Sequence, residues 1–237
     1  MGEVFYREDL ASIHAAGFGG LGDAAARLVL QFLGNRAPAS RVLDLGCGAG
    51  ALARPLSDAG ARVWGLDISA DILAIARMQA PGASFHQGSI HEADLPEAEA
   101  VCAIGEVVNY LADPRAGSIA LRDFLDRASK ALPSGGLLLF DAAAPGRGSS
   151  RSFTEGDGWA VGASNEEVDG GLTRRITTFR IYDGVWRRSE EVHRLALYPQ
   201  AEVLSALAAA GFQAEVLSGY GDLDLPAGLP VYWAVRT

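Results

Sequence analysis

A short stretch of glycines beside an acid holds the residues of this sequence best suited to bind a small molecule. Asp44 lies inside the apolar run 42–45, and three glycines follow it at alternate positions. These glycines are Gly46, Gly48 and Gly50. Glycine lets the backbone turn sharply and approach a ligand closely, and the N-terminus of a following helix favours a carboxylate. The stretch therefore predicts a nucleotide-type pocket at the carboxyl end of a buried strand.

A second acid stands where a ribose could be held. Asp67 ends the next apolar run, 62–67. Nucleotide-binding folds place at this distance the carboxylate that accepts hydrogen bonds from both ribose hydroxyls. Taken singly, Asp44 could be a structural carboxylate and Asp67 an acid at a helix N-terminus. Taken together, the two acids favour a cofactor site.

The elements that must position these acids follow from an alternation of strand and helix patterns. Apolar runs predict strands at 42–45, 62–67, 83–87, 98–104 and 137–141. Helical spacing predicts helices at 51–59, 70–79 and 119–132, the second of them capped by Ser69. This alternation predicts an α/β fold with a parallel sheet, helices on both faces and a ligand at the carboxyl ends of the strands.

The composition changes after the fifth predicted strand. Residues 144–152 are rich in Pro, Gly and Ser and predict a linker. Antiparallel strands are then expected at 159–168, 172–182 and 185–197, the last two joined by the hairpin signal Asp183-Gly184. A helix at 200–210 and two strands, 213–218 and 231–236, complete the chain. We expect one domain over 1–237, with an antiparallel cap at 148–198.

The residues before the first strand predict two helices with a break between them. Helical spacing covers 9–16 and 22–33, and the glycines of 17–20 separate the two helices. No apolar strand precedes these glycines and no P-loop lysine follows them, so they predict a hinge and not a phosphate loop. We interpret residues 1–34 as a helical lid.

The spacing Asp44-x-Gly46-x-Gly48-x-Gly50 resembles motif I of the class I S-adenosylmethionine (SAM)-dependent methyltransferases, and residues 41–141 resemble their core throughout. Three further stretches resemble a bacterial small-molecule branch that includes sugar N-methyltransferases and glycine or sarcosine methyltransferases. These stretches are Asp9-Leu10-Ala11-Ser12-Ile13-His14-x-x-Gly17-Phe18-Gly19, Gly105-Glu106-x-x-Asn109-Tyr110-Leu111 and His193-x-x-x-x-Tyr198. The resemblance implies a Rossmann-like seven-stranded sheet whose last strand is antiparallel, and a strand-rich insertion after the fifth strand.

The same resemblance implies an enzyme that transfers a methyl group from SAM to the nitrogen or oxygen of a small-molecule acceptor, with S-adenosyl-L-homocysteine (SAH) as product. It also implies a set of cofactor contacts. These are Tyr6, Phe18, Asp44, Gly46, Cys47, Gly48, Gly50, Asp67, Ile68, Gly88, Ser89, Ile90, Gly105 and Glu106. Ser89 departs from the family pattern, because many members carry an aspartate there. A direct side-chain contact from Ser89 to the adenine amine is therefore in doubt, although backbone contacts remain open.

The acceptor should meet the methyl group where the cap and the fourth strand approach the cleft. A two-residue hairpin at 183–184 would place Arg174, Ile176, Thr178 and Arg180 on one sheet face with Arg187, Ser189, Glu191 and His193. The opposite face would hold Phe179, Ile181, Trp186 and Val192 and would pack on something. We expect the cap to cover the cleft and to present His193, with Glu191 or Arg174, to the acceptor.

Four residues are the candidates for catalysis or acceptor contact. They are His193, Tyr198, Asn109 and Tyr110. An imidazole could take a proton from an amine acceptor, although His193 could equally be a structurally bonded histidine, and Tyr198 a packing residue with a bonded hydroxyl. Tyr6 and His14 are second-rank candidates, because an N-terminal helix can close over a cofactor in this fold.

Charge and composition narrow the partners and the compartment. The net charge of −9 and the lack of a basic cluster argue against nucleic acid or an anionic membrane surface as the partner. Cys47 and Cys102 do not suggest a disulfide framework, and the acidic start lacks an apolar signal core, so we expect a cytoplasmic protein. His86 and His91 lack partners at metal-ligand spacing, so no metal is expected. The oligomeric state is expected to be a monomer or a homodimer.

Two other functions compete with methyl transfer. Gly46-x-Gly48-x-x-Ala51 also satisfies the dinucleotide fingerprint, which leaves an NAD(P)-binding oxidoreductase possible. Gly50 and the lack of a second βαβαβ half argue against that alternative. The other competitor is a non-catalytic SAM-binding protein, which would keep the glycine loop and lack an acceptor cavity.

Overall fold

A seven-stranded sheet lies at the centre of the computed structural model, which describes residues 5–237. The strands of the described chain are β1 (Arg41–Leu45), β2 (Arg62–Asp67), β3 (Ser84–Gln87), β4 (Ala100–Ala103), β5 (Leu137–Asp141), β6 (Ser150–Gly156), β7 (Trp159–Val168), β8 (Gly171–Tyr182), β9 (Val185–Ala196), β10 (Phe212–Leu217), β11 (Gly219–Tyr220), β12 (Leu223–Asp224) and β13 (Val231–Arg236). The α-helices are α1 (Glu8–Gly17), α2 (Gly20–Leu33), α3 (Ala53–Asp58), α4 (Ala70–Gln79), α5 (Ser118–Ala131) and α6 (Gln200–Ala209). Two 3₁₀ helices span Gly34–Ala39 and Val107–Asn109.

The order of the strands in the central sheet is β10-β13-β5-β4-β1-β2-β3. Strands β1 to β5 pair in parallel, and β13 runs antiparallel to both β5 and β10. Every residue of β4 and β5 is buried, because helices cover both faces of the sheet. The predicted α/β sheet with an antiparallel last strand is confirmed.

The position of β1 explains where a ligand can bind. The chain leaves β1 toward β2 and β3 on one side and returns to β4 and β5 on the other. In an open parallel sheet, such a reversal opens a crevice at the carboxyl ends of the strands. Asp44 and the glycines of 46–50 lie at this crevice.

The cap is a second sheet with four antiparallel strands in the order β6-β7-β8-β9. The hairpin at 183–184 has the predicted register, which pairs Arg174 with His193 and Ile176 with Glu191. The sequence prediction of a linker over 144–152 was wrong at its end, because β6 begins at Ser150. All of β6 is exposed, so this edge strand is formed by its pairing with β7 and carries no apolar alternation for a sequence pattern to detect.

The two faces of the cap differ from the prediction in one respect. The inner face, which carries Glu191 and His193, is buried. The outer face was predicted to pack against another part of the protein. Within the described residues this prediction is wrong, because Phe179, Ile181 and Trp186 are exposed. Apolar atoms make up much of the solvent-exposed surface of folded proteins, so an apolar strand residue is a weak signal for burial.

The inner face of the cap packs on the start of the chain. Asp9 in α1 is buried, and its carboxylate accepts hydrogen bonds from Arg187 at 3.0 Å and from Arg180 at 3.4 Å. The indole of Trp159 lies against Gly17 so closely that a Cβ at Gly17 would stand 2.7 Å from the ring. Residues 5–17 thus lie between the cap and the crevice.

The remaining differences from the sequence expectations are local. Helix α3 covers only Ala53–Asp58 of the predicted 51–59, and the short hairpin β11–β12 was not predicted. The described residues contain no helix long and apolar enough to cross a membrane.

Candidate active site

A cavity of about 200 Å³ opens at the crevice and contains most of the predicted cofactor contacts. The predicted residues that line it are Tyr6, Phe18, Asp44, Gly46, Cys47, Gly48, Asp67, Ile68, Gly88, Ser89, Ile90 and Gly105. Gly50 and Glu106 were also predicted to contact the cofactor, but neither residue lines the cavity. Gly50 ends the turn of the loop, and the Glu106 carboxylate pairs with Arg147 and Arg174.

The glycine loop after β1 is held tightly against its neighbours. Gly46, Gly48 and Gly50 all have positive φ values, at 70°, 53° and 84°, which other residues adopt only with strain. A Cβ at Gly46 would stand 2.5 Å from the side chain of Val107. The amides of Gly46 and Cys47 both donate to the Leu66 carbonyl at the end of β2, which fixes the loop to the neighbouring strand.

Asp44 lies beneath this loop as a buried acid with an unused oxygen. Its side chain is nearly inaccessible, and its Oδ2 atom has no hydrogen-bond partner. Burial, and to a smaller extent the negative charge of Asp67, raise the pKa of Asp44 to about 7. A cationic ammonium group beside Asp44 would supply the missing partner and favour the ionised carboxylate.

Asp67 connects the glycine loop to the start of α4. Its two oxygens accept hydrogen bonds from the amides of Gly48 and Ser69, each at 2.9 Å. Burial raises the pKa of Asp67, and these amide bonds oppose the rise. A carboxylate has about four acceptor positions, so those that remain can take the two ribose hydroxyls.

The far end of the cavity lies at the carboxyl end of β3. Ile68, Ile90 and His91 line it together with Ser89 and Asp113. Because β3 is the strand beyond β2, a base attached to a ribose at Asp67 extends toward this end. The apolar Ile68 and Ile90 side chains are suited to the faces of an adenine ring.

The turn after β4 is fixed from below by the last residue of β5. The Asp141 carboxylate accepts from the amides of Gly105 and Glu106 and from the hydroxyl of Tyr220. Glu106 adopts a left-handed conformation with φ 62°, which this network stabilises. Burial raises the pKa of Asp141 to about 6, although the three hydrogen bonds oppose it.

Two tyrosines face the cavity where the methyl group of a bound SAM would be expected. Tyr6 and Tyr110 line the cavity, and their hydroxyls lie close together. The Tyr110 hydroxyl also accepts from Arg174 at 3.2 Å, and Arg174 donates to Glu106 at 2.8 Å. Burial raises the pKa of both tyrosines, so both hydroxyls are protonated at neutral pH.

His193 lies one layer behind these tyrosines. Its ring stacks on Phe5 at 4.3 Å and is only 1% exposed. Nε2 lies 2.9 Å from the Glu191 carboxylate, and Nδ1 has no partner. Because a carboxylate only accepts, Nε2 carries the hydrogen and Nδ1 keeps a free lone pair. The catalytic role of His193 stays a prediction, since Phe5 lies between it and the cavity.

The other two candidates for catalysis serve the framework. The Asn109 amide group donates to the carbonyls of Ala143 and Ala196 and accepts from the Ala143 amide, so its hydrogen-bonding capacity is used and acceptor contact by Asn109 is not supported. Tyr198 is buried in the core, and its hydroxyl lies 3.4 Å from the Val108 carbonyl. Neither side chain lines the cavity.

The start of the chain, and not the cap, closes the cavity. Its lining residues lie between positions 5 and 113, and none of them belongs to residues 148–198. Glu191 of the cap instead accepts hydrogen bonds from the amides of Tyr6 and Arg7, both at 2.9 Å. The Tyr6 carbonyl in turn accepts from Ser69 Oγ at 2.9 Å. The expectation that the cap itself covers the cleft is corrected accordingly.

Sequence reasoning missed Phe5, Asp113 and the anchoring role of Glu191. Phe5 and Asp113 stand in loops without a recognisable motif, and their contacts come from residues far along the chain. Glu191 was noted only as a companion of His193. Its alternation with His193 on the inner face was the one signal that could have pointed to a buried role.

His14 lines the cavity, and burial lowers its pKa to about 4, so it is neutral at pH 7.

Comparison with known proteins gives several relatives. Residues 42–136 match the family model described as "Methyltransferase domain". A dTDP-3-amino-3,6-dideoxy-α-D-glucopyranose N,N-dimethyltransferase of Streptomyces fradiae is 30% identical over 190 residues, which cover 76% of this chain and 73% of the relative. A dTDP-3-amino-3,4,6-trideoxy-α-D-glucopyranose N,N-dimethyltransferase of Streptomyces venezuelae is 29% identical, with 90% of this chain and 94% of the relative covered.

Solved structures share the fold. An amino pentose methyltransferase from Micromonospora echinaspora, solved with SAM bound, has a TM-score of 0.74 and 23% identity over the full length of both chains. A sugar N-methyltransferase from Streptoalloteichus has a TM-score of 0.75 and 24% identity, with 100% of this chain and 94% of that chain covered. The central sheet and the cap are therefore common to both.

Proposed function

The chain belongs to the class I SAM-dependent methyltransferases and methylates a small molecule with SAM as the donor, and we propose that its acceptor is the amino group of a nucleotide-linked amino sugar. One observation carries this proposal. The similarity to the Streptomyces venezuelae N,N-dimethyltransferase extends over 90% of this chain and therefore well beyond the cofactor core.

The geometry at the acceptor end supports an amine. Phe5, Tyr6 and Tyr110 line that end of the cavity. Aromatic faces attract cations, and hydroxyl oxygens accept hydrogen bonds from an N–H group. Both the sulfonium of SAM and the N–H groups of a neutral amine are therefore favoured there.

The reaction needs little more than alignment and a place for one proton. The nitrogen lone pair attacks the methyl carbon while the carbon–sulfur bond breaks, and its electron pair stays on the sulfur of SAH. The ammonium product then loses a proton to water or to a protein group. Tyr6 and Tyr110 hold the nucleophile in line, and the segment that carries Phe5 and Tyr6 excludes bulk water.

His193 fits into this proposal as a group behind the tyrosines. Its Nδ1 lone pair could take the product proton if the ring of Phe5 moved aside during acceptor entry. Replacing His193 with alanine should then spare SAH binding and lower turnover, which would separate a catalytic from a cofactor-binding role.

The experiment is a methylation assay with three acceptors and a mass measurement of each product. The first acceptor is dTDP-3-amino-3,6-dideoxy-α-D-glucose, the second carries a hydroxyl in place of its amine, and the third is the free amino sugar. We expect SAH release and addition of one or two methyl groups with the first acceptor alone.

Each alternative outcome has a clear meaning. Methylation of the hydroxyl analogue at the rate of the amine would contradict N-methylation. Equal kcat/KM for the free and the nucleotide-linked amino sugar would contradict recognition of the nucleotide.

A further inference from the structure

Ser89 follows β3 at the adenine end of the cavity, where many class I methyltransferases carry an aspartate. It lines the cavity. Its hydroxyl oxygen accepts from the His91 amide at 3.0 Å, and the hydroxyl lies close to a neighbouring carboxylate. The Ser89 hydroxyl is therefore occupied by protein groups and leaves the adenine amine without a side-chain acceptor from β3.

The carboxylate that Ser89 contacts belongs to Asp113. Asp113 comes from the loop between the 3₁₀ helix Val107–Asn109 and α5. It lines the cavity and is 7% exposed. The Arg115 amide donates to its Oδ1 atom at 2.9 Å, and Arg115 Nη1 donates to its Oδ2 atom at 3.2 Å.

We propose that Asp113 accepts a hydrogen bond from the adenine amine of SAM and SAH, and so replaces the carboxylate that Ser89 lacks. Two hydrogen bonds from Arg115 reach Asp113 and the Ser89 hydroxyl lies close to it, whereas a carboxylate has about four acceptor positions. The remaining position is free for a ligand in the cavity that Asp113 lines.

The surroundings of Asp113 keep it charged. Burial alone would raise its pKa, but the Ser89 hydroxyl, the Arg115 amide and the charges of Arg115 and His91 lower the pKa below its usual value. The group facing the adenine edge is thus an acceptor without a hydrogen of its own. Such a group discriminates between an amine and a carbonyl at the same position of the base.

The test uses two ligands that differ at that edge of the base, where S-inosylhomocysteine also carries a hydrogen on the neighbouring N1. S-inosylhomocysteine carries an oxygen where SAH carries the adenine amine. Calorimetric titration of the wild-type protein should give at least about tenfold tighter binding of SAH, because the carbonyl oxygen faces a carboxylate and leaves it unpaired. In Asp113→Asn, the side-chain amide can donate to the carbonyl, so the preference for SAH should fall about tenfold.

The matched control is Glu92→Gln. Glu92 is an exposed carboxylate that forms an ion pair with the same Arg115, so this substitution removes an equal charge nearby without touching the cavity. The ligand preference of Glu92→Gln should equal that of the wild type.

Three results would overturn the proposal. The first is equal affinity of the wild type for the two ligands. This measurement needs no variant, so it remains decisive even when Asp113→Asn does not fold. A folded Asp113→Asn protein with the wild-type preference, or a Glu92→Gln protein with the same loss as Asp113→Asn, would overturn the proposal as well.

Discussion

At the scale of single residues, the site depends on two carboxylates in different states, of which Asp44 is buried and Asp67 half-buried. Asp44 has an oxygen without a partner and a pKa near neutrality, whereas both oxygens of Asp67 accept backbone amide hydrogens. The sequence predicts both positions, because a strand-end acid beside a glycine loop is a local pattern. It does not predict their protonation, which depends on burial by distant segments.

Substitution of Asp67 should weaken the cofactor complex strongly. Asp67→Ala removes the ribose acceptors and one anchor of the glycine loop, so SAH affinity should fall by roughly 2–3 kcal/mol, the order of lost hydrogen bonds to a charged group. Calorimetry on the folded variant measures this loss. Asp71→Ala, which removes an exposed acid from the first turn of α4, should bind SAH like the wild type. Unchanged affinity of Asp67→Ala would refute the ribose assignment.

Cofactor binding should release a proton from Asp44. With a pKa of about 7 in the empty protein, Asp44 is protonated in about half of the molecules at pH 7. The ammonium of SAH favours the carboxylate and lowers this pKa, so binding at pH 7 should release up to roughly half a proton. Titration in buffers of different ionisation enthalpy measures the release. It should disappear in Asp44→Asn, and a release that persists there would assign the proton to another group.

At the scale of elements, the start of the chain closes the site and the cap holds it in place. The amides of Tyr6 and Arg7 donate to Glu191. The Asp9 carboxylate accepts hydrogen bonds from Arg180 and Arg187 of the same sheet. The hairpin register was predictable, because the two-residue turn and the alternation fix which side chains share a face. What lies against each face was not predictable, because both faces carry apolar and charged residues.

Removal of the Glu191 carboxylate should loosen the N-terminal segment. In Glu191→Ala the amides of Tyr6 and Arg7 lose their acceptor, so their hydrogen exchange should accelerate at least about tenfold and SAH should bind more weakly. Mass spectrometry of exchanged peptides that cover residues 5–17 measures the effect. Glu190→Ala is the control, since the Glu190 side chain points to the exposed face of the same strand. Equal exchange in the two variants would contradict the anchoring role.

At the scale of the whole molecule, the sheet and its reversal at β1 were predictable. The order in which residues 5–17 and the cap cover the crevice was not. Alternating strand and helix patterns over residues 41–141 determine the sheet, and the antiparallel β13 agrees with the family resemblance. The placement of residues 5–17 between the cap and the crevice depends on long-range contacts, such as the one between Asp9 and Arg187, that no local pattern encodes. Asp113 was missed for the same reason.

SAH should stabilise the folded protein as a unit, because its cavity joins the lid to β1, β2, β3 and β4. At a free concentration of about 100 times Kd, binding contributes about 2.7 kcal/mol, which corresponds to a rise in Tm of roughly 5–10 °C for a chain of this size. Thermal melts with SAH and with NAD measure the selectivity. NAD should leave Tm unchanged, and an equal rise with NAD would favour the oxidoreductase alternative.

The close packing of Trp159 on Gly17 provides an optical signal. The chain has four tryptophans, and Trp159 is the one whose ring lies at the joint between α1 and the cap. Trp186 stands in solvent, and the rings of Trp64 and Trp233 pack on His86 and Phe32. Undocking of α1 would expose the Trp159 indole to water and to collisional quenchers while the other three keep their surroundings. The intrinsic emission of the unlabelled protein would therefore report opening of the lid.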